Sequence, residues 1–179
     1  MFSKQISQPI RAVHMPAESV LNSSFCRIDF ADAYELRLSK SEIQISEAYV
    51  VIFCYPPTWV QVLMNLRGHI ALRLGLTHPF DAREIAPDEY PKVVTGVRVG
   101  LFTVQSVHPS ELIVGDDDKH LNFRISTMKT EREGQFYITV STAVEIHNML
   151  GRAYMFVVKP FHRFLAPYML RRAASSGRL

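Results

Sequence analysis

From Phe25 to Leu38, in "FCRIDFADAYELRL", apolar and polar positions alternate. Ile28, Phe30, Tyr34, Leu36 and Leu38 share one parity, and Arg27, Asp29, Glu35 and Arg37 the other, which predicts a half-buried strand. Asp32 breaks the pattern, because it falls in phase with Phe30 and Tyr34. The period then lengthens. "SKSEIQISEAYVVIFCY" carries Ile45, Ala48, Tyr49, Ile52 and Phe53 at helical spacing, with Ser41 and Gln44 forming a candidate capping box and Pro56–Pro57 as the stop. A second helix is predicted in "TWVQVLMNLRGHIALRLG", with Trp59, Leu63, Leu66, Ile70 and Leu74 as its buried stripe and Gly75 at its end. Residues 77–97 hold Pro79, Pro87, Pro91 and Gly96 and are expected to form a long connection.

From Val97 the period returns to two. "VRVGLFTVQSV", "ELIVG", "HLNFRISTMK" and "QFYITVSTAVEI" are separated by the turn sequences "HPSE", "DDDK" and "TEREG". Leu121, Phe123 and Ile125 share a face, as do Phe136, Ile138, Val140, Val144 and Ile146, while Asn122, Arg124, Ser126, Thr139, Ser141 and Glu145 take the other. A meander dry on one side and wet on the other follows. A long helix starting near Asn148 closes the chain. At 100° per residue, Met149, Ala153, Phe156, Val157, Phe161, Phe164 and Tyr168 form one broad apolar face, expected to be the buried one. Arg152, Lys159 and Arg163 form a polar stripe opposite, and Pro160 and Pro167 should kink the helix or, at Pro167, end it.

Composition narrows the class. With 179 residues and 47% hydrophobic content, one domain spanning residues 1–179 can build a core, with 1–22 as a lead-in and 173–179 as a flexible basic tail. "MFSKQISQPIRAVHMP" has no apolar leader, and the longest apolar stretch is interrupted by Arg152, Lys159, His162 and Arg163, so neither a signal peptide nor a membrane span is expected. Cys26 and Cys54 stand outside any CxxC spacing, which predicts two buried, reduced thiols in a cytoplasmic protein. The net charge of +3 is unevenly divided: residues 1–145 carry −3 and residues 146–179 carry +6 with no acid.

Strand, two helices, antiparallel strands and a long last helix is the order of the α+β helix-grip fold, in which a curved antiparallel sheet wraps around the C-terminal helix. The text itself adds to this. "DFADAYELRL", "GDDDKHLNFRIS" and "EIHNMLGRAYMFVVKPFHRFLAPYMLRRA" resemble a bacterial family of unknown function in the superfamily of START lipid-transfer domains, polyketide cyclases and birch-pollen-allergen-like proteins (SRPBCC). The resemblance runs from about Phe25 to Ala173, and "LGRAY" with "KPFHR" is its most specific part. It implies a cavity between helix and sheet that accepts a hydrophobic small molecule or lipid, and it supplies no catalytic residues.

Against that frame each candidate has a plain and a sharp reading. In "GDDDKH", Asp116, Asp117, Asp118 and His120 lack the D-x-D-x-D-G spacing of a calcium loop, and consecutive aspartates point in alternating directions, so a hairpin turn is expected rather than a metal site. Asp32 would return to solvent through a bulge at "ADA" or pair with an arginine such as Arg98. Its sharper role is a polar anchor at the cavity mouth or a general acid. His120, His147 and His162 lie on different elements, and His147, by its wet-face parity, and His162, beside the polar side of its helix, are assigned to the surface. Trp59, Phe102, Phe123, Tyr154 and Phe161 are core residues by type, and in this fold the same positions line a pocket. No G-x-S-x-G, Cys–His pairing or Gly-rich phosphate loop is present, so no catalytic residue, cofactor or metal is assigned. The leading expectation is therefore binding of a hydrophobic molecule. An enzyme of the cyclase or hydratase kind, using Asp32 and Tyr154, is second, and weak contact of the basic last helix with an anionic membrane surface is third. Nucleic acid is not expected, since no recognition motif accompanies the basic end.

Overall fold

Residues 9–39, 41–73 and 92–179 are described by a computed structural model. Arg11–Val13 (β1) pairs with Phe30–Arg37 (β2), and a single turn of 3-10 helix at Val20–Ser23 lies between them. Two helices follow, Ile45–Phe53 (α1) and Thr58–Arg73 (α2). Five more strands come next: Arg98–Val99 (β3), Phe102–Val107 (β4), Glu111–Asp117 (β5), Leu121–Arg132 (β6) and Gln135–Ile146 (β7). Met149–Ser175 (α3) ends the chain. The strands form one open antiparallel sheet in the order β1-β2-β7-β6-β5-β4-β3. This α+β arrangement fits a helix-grip fold. Leu74 and Gly75, and the connection as far as Pro91, lie outside the described residues.

The apolar parity of the sequence becomes the inner face of the sheet, but the face expected to be wet is not solvated, since Ser126, Thr139 and Ser141 are buried. Phe30, Tyr34 and Leu36 stand opposite Val144, Val140 and Ile138, so the dry parities of β2 and β7 coincide. One hydrophobic cluster joins this inner face to α1 and the C-terminal half of α3 through Leu36, Tyr49, Ile52, Leu112, Ile138, Met169 and Leu170. A smaller one lies under the first turns of α3, with Phe30, Leu121, Val144, Ile146 and Met155. The reverse face is covered by the lead-in, where Leu21 packs on Ile113 and Ala143. Buried Glu111 fastens it there, accepting hydrogen bonds from Ser19 Oγ (2.5 Å), Ser126 Oγ (2.5 Å) and the Val20 N–H (2.9 Å).

Several expectations are corrected. The capping box fails because Lys129 Nζ donates to the carbonyls of Ser41 (2.6 Å) and Ile43 (3.0 Å), holding that stretch in a turn, and α1 starts only at Ile45 after an uncapped Gln44. "VRVGLFTVQSV" is a hairpin rather than one strand: Gly100, at φ +64°, turns the chain between β3 and β4. In α2, Val60 is buried and Trp59 is 42% exposed, whereas the side chains of Leu66 and Ile70 lie outside those described. Helix α3 runs through Pro167 to Ser175. Cys26 is exposed, while Cys54 is buried against Gly100.

The largest correction concerns α3. Met149, Phe156, Val157, Phe161 and Phe164, the predicted buried face, point outward. The face turned inward carries Gly151, Met155, Met169, Leu170 and Ala173. Gly151 is the seat of this arrangement: a Cβ there would lie 2.2 Å from the His120 carbonyl oxygen and 2.9 Å from Ile146 Cγ2. The helix can approach the β5–β6 turn only with no side chain at that point.

Two outcomes follow from this packing. Gly151→Ala should lower stability by about 2 kcal/mol in denaturant unfolding, because backbone rather than a mobile side chain must give way. For the thiols, burial pushes Cys54 up to about 12, so its reactive thiolate is scarce at neutral pH. A disulfide-exchange reagent should label Cys26 rapidly in the native protein and Cys54 only on unfolding.

Candidate functional site

On the inner face the two hydrophobic clusters are separated by a polar waist. Asp32 and Thr142 are direct cross-strand partners in β2 and β7, and the register is unbroken from Phe30–Val144 to Arg37–Tyr137. Asp32 therefore makes no bulge. It stays in phase with Phe30 and Tyr34, pointing toward α3, while Arg98 is engaged by Asp116 at 3.1 Å. The partner of Asp32 is His162, whose Nδ1 lies 3.0 Å from Asp32 Oδ2. His162 Nε2 is 3.3 Å from Thr142 Oγ1. The Asp32 and His162 side chains are 13% and 22% exposed, so His162 does not have the surface role expected of it. With Nδ1 donating to the carboxylate, the neutral ring leaves Nε2 to accept from the Thr142 hydroxyl.

Each element contributes its polar residue at the same level. Along β2, Asp32 lies between Phe30 of the small cluster and Leu36 of the large one; along β7, Thr142 lies between Val144 and Val140. Along α3, His162 lies between Met155 and Met169. The rim is aromatic and cationic. The Phe30 ring meets His162 edge-on at 6.0 Å, and Lys159 Nζ sits 5.2 Å from the centre of the same ring. Tyr34 donates a long hydrogen bond to the Arg163 carbonyl (3.5 Å). Its phenol is held above the ordinary range by burial and by the Asp32 carboxylate, with Arg163 opposing. Two polar atoms of this face remain unsatisfied among the described residues: Asp32 Oδ1 and Thr127 Oγ1 are buried without hydrogen-bond partners. Buried polar groups are nearly always paired, and the other unpaired side-chain atoms among the described residues are His108 Nε2, His120 Nδ1 and Ser141 Oγ.

The remaining candidates divide into separate groups. Phe102 and Phe123 meet at 5.6 Å and continue to Phe53 and Tyr49 of α1; Tyr49 donates to the Val99 carbonyl at 2.8 Å. Phe123 borders both clusters and so lies at the waist. Tyr154 packs edge-on against the buried His120 ring at 5.4 Å, near the start of α3. Trp59 meets Tyr168 edge-on at 5.1 Å and Phe164 at a tilt at 6.5 Å, beyond the waist, and Phe161 is exposed. The aspartates of "GDDDKH" diverge: Asp116 accepts from Arg98 and Thr103, Asp117 pairs with Arg124, and Asp118 Oδ1 accepts the Lys119 N–H. Among the described residues no group of acids, histidines and cysteines has metal-binding geometry. Sequence reasoning passed over Thr142 and His162. Both carried a signal: Thr142 shares the parity of Val140 and Val144, and His162 falls in a second helical stripe with Met155, Val158, Leu165 and Met169.

A family model described as "Protein of unknown function (DUF2867)" matches residues 24–169. No curated protein sequence matches the chain. Among solved structures, CalU16 from Micromonospora echinospora is similar over 82% of this chain and 83% of its own, at 11% identity and a TM-score of 0.31. So distant a likeness carries no weight in assigning the fold or the site.

Coupling within the waist is measurable. In a double-mutant cycle of Asp32→Asn and His162→Gln, urea unfolding should give an interaction energy of about 1 kcal/mol or more. A value near zero would mean that the pair does not form in solution.

Proposed function

The chain belongs to the family of unknown function DUF2867, and from its site we propose that it binds a predominantly apolar small molecule or lipid carrying one hydrogen-bond donor. The molecule lies between α3 and the inner face of β2, β7 and β6, with its donor on Asp32. The observation that carries this reading is the unsatisfied Asp32 Oδ1, buried between two apolar clusters. A pocket of this kind takes its affinity from apolar walls and its selectivity from few polar groups. Phe30, Phe123 and Tyr34 supply the walls nearest Asp32. Placement in the START-like superfamily, with the sheet curved about α3, is part of the same reading and is supported by the element order and sheet topology.

A second reading has its own support. Asp32 orients the His162 ring through Nδ1 and leaves Nε2 beside a hydroxyl, which is how carboxylate–imidazole pairs are arranged for proton transfer. An acid–base reaction of the cyclase or hydratase kind would use His162 to move the proton and Asp32 to position it. The role first considered for Tyr154 passes to His162 in this version, because Tyr154 packs on His120.

Solvent extraction of the purified protein followed by mass spectrometry should release an apolar molecule with a hydroxyl, amide or similar donor. In parallel, a medium-chain alcohol should displace a bound apolar dye about tenfold more strongly than the alkane of equal length, the worth of one hydrogen bond. Asp32→Ala should erase that preference. Failure to extract or bind any apolar molecule, or an interior filled by side chains, would overturn the assignment.

A further inference from the structure

The outer face of α3 is an apolar ridge left uncovered. Met149, Phe156, Val157 and Phe164 are 72%, 83%, 58% and 64% exposed. On a helical wheel they span about 100° of arc, a continuous stripe rather than scattered residues. Trp59 and Val62 of α2 extend it on one side, where the Trp59 ring lies 6.5 Å from that of Phe164. Exposed apolar patches of this extent mark surfaces that meet another phase or molecule.

Charge decides between the occupants. Arg152 and Arg163 run along the other side of the ridge, while Lys159 turns to the Phe30 ring, and Arg171 stands near its C-terminal end. No acidic residue occurs between positions 146 and 179. Asp29, near enough to Arg152 to feel its charge, is engaged by Arg27 and the Ile146 N–H, and Asp32 by His162. A second copy packed ridge to ridge would bring like-charged edges together with no carboxylate of α3 between them. A surface rich in phosphate answers both features at once. Among the described residues no helix is long and apolar enough to cross a membrane, so such a helix would lie in the plane of the interface.

We propose that the outer face of α3 docks on an anionic bilayer, with Phe156 and Phe164 inserted at the acyl boundary and Arg152 and Arg163 at the lipid phosphates. This surface uses the side of α3 opposite to His162, so it stands or falls independently of the ligand site.

The test is flotation of the full chain with vesicles of phosphatidylcholine containing roughly one-third phosphatidylserine, against phosphatidylcholine alone. Binding is expected to the anionic vesicles and to weaken as salt rises. Trp59 is the sole tryptophan, and its emission should shift to the blue on docking. Arg152→Gln and Arg163→Gln should each weaken binding by about fivefold. Phe156→Ser combined with Phe164→Ser should reduce it at least ~tenfold without altering the thermal unfolding midpoint, since both rings are exposed. Absence of binding to anionic vesicles at low salt would overturn the proposal, as would binding that survives the double serine variant. A solution dimer that the double serine variant dissolves would also overturn it, because the ridge would then be an interface between copies.

Discussion

The hydrogen bond between Asp32 and His162 fixes which side of α3 meets the sheet, and the rest of the site follows from it. Apolar burial alone would not have settled the matter. The outer face offers Met149, Phe156, Val157, Phe161 and Phe164, and the inner face Met155, Val158, Leu165, Met169 and Leu170. At about 1.5–3 kcal/mol for each large side chain, the two sets are nearly balanced. The polar groups are not. Rolling α3 over would leave a mid-strand carboxylate and the Thr142 hydroxyl facing phenyl rings, at several kcal/mol for the carboxylate alone. It would also push a side chain into the His120 carbonyl, where only Gly151 has clearance. A polar pair and a missing side chain outweigh the larger rings.

That choice divides the interior in two. The large cluster binds α1 to the sheet and to the last turns of α3, while the small one seats the first turns. Between them the waist cannot be filled by aliphatic packing, because Asp32, Thr142 and His162 meet there. On the reverse face a different solution is used. Glu111 is buried with no cationic partner among the described residues but accepts three hydrogen bonds, which clamp the lead-in. Asp32 has one such bond and one free oxygen. The two carboxylates on opposite faces thus differ in how many hydrogen bonds the described residues supply to them.

How much of this could be seen in the chain follows from what periodicity measures. Alternation located β2, β5, β6 and β7 through their apolar parity, although the opposite parity is not wet, because Ser126, Thr139 and Ser141 are buried, and the anomaly at Asp32 pointed to the candidate site. Helical period located α1, α2 and α3, but a wheel ranks faces by bulk hydrophobicity and knows nothing of clearance. It therefore chose the phenylalanines of α3 and passed over the stripe centred on His162. Thr142 escaped because a lone threonine among valines resembles strand packing until the register sets it beside Asp32. The split between β3 and β4 left a trace that was passed over: just after Gly100 the apolar parity switches from Val97, Val99 and Leu101 to Phe102 and Val104, and the positive φ of Gly100 makes the turn. The pairing of residues distant in sequence, Asp32 with His162, has no signature in local period at all.

The geometry also limits what chemistry the waist could perform. An Asp–His–hydroxyl row invites comparison with nucleophilic catalysis, but a nucleophile needs donors for the oxyanion it creates. Thr142 lies mid-strand, paired with Asp32 on one side and Ile125 on the other, so the backbone around it is committed to the ladder. Its side chain is buried beneath α3 rather than raised on a turn. Attack by Thr142 would thus build negative charge where no backbone donor faces it. Proton movement makes a smaller demand, needing only an oriented imidazole and a substrate atom within reach. On the proposed reading, a ligand that satisfies Asp32 Oδ1 would lie against the His162 ring in any case, so binding and proton transfer would share one geometry, and the reactivity of the bound molecule would determine whether occupancy leads to chemistry.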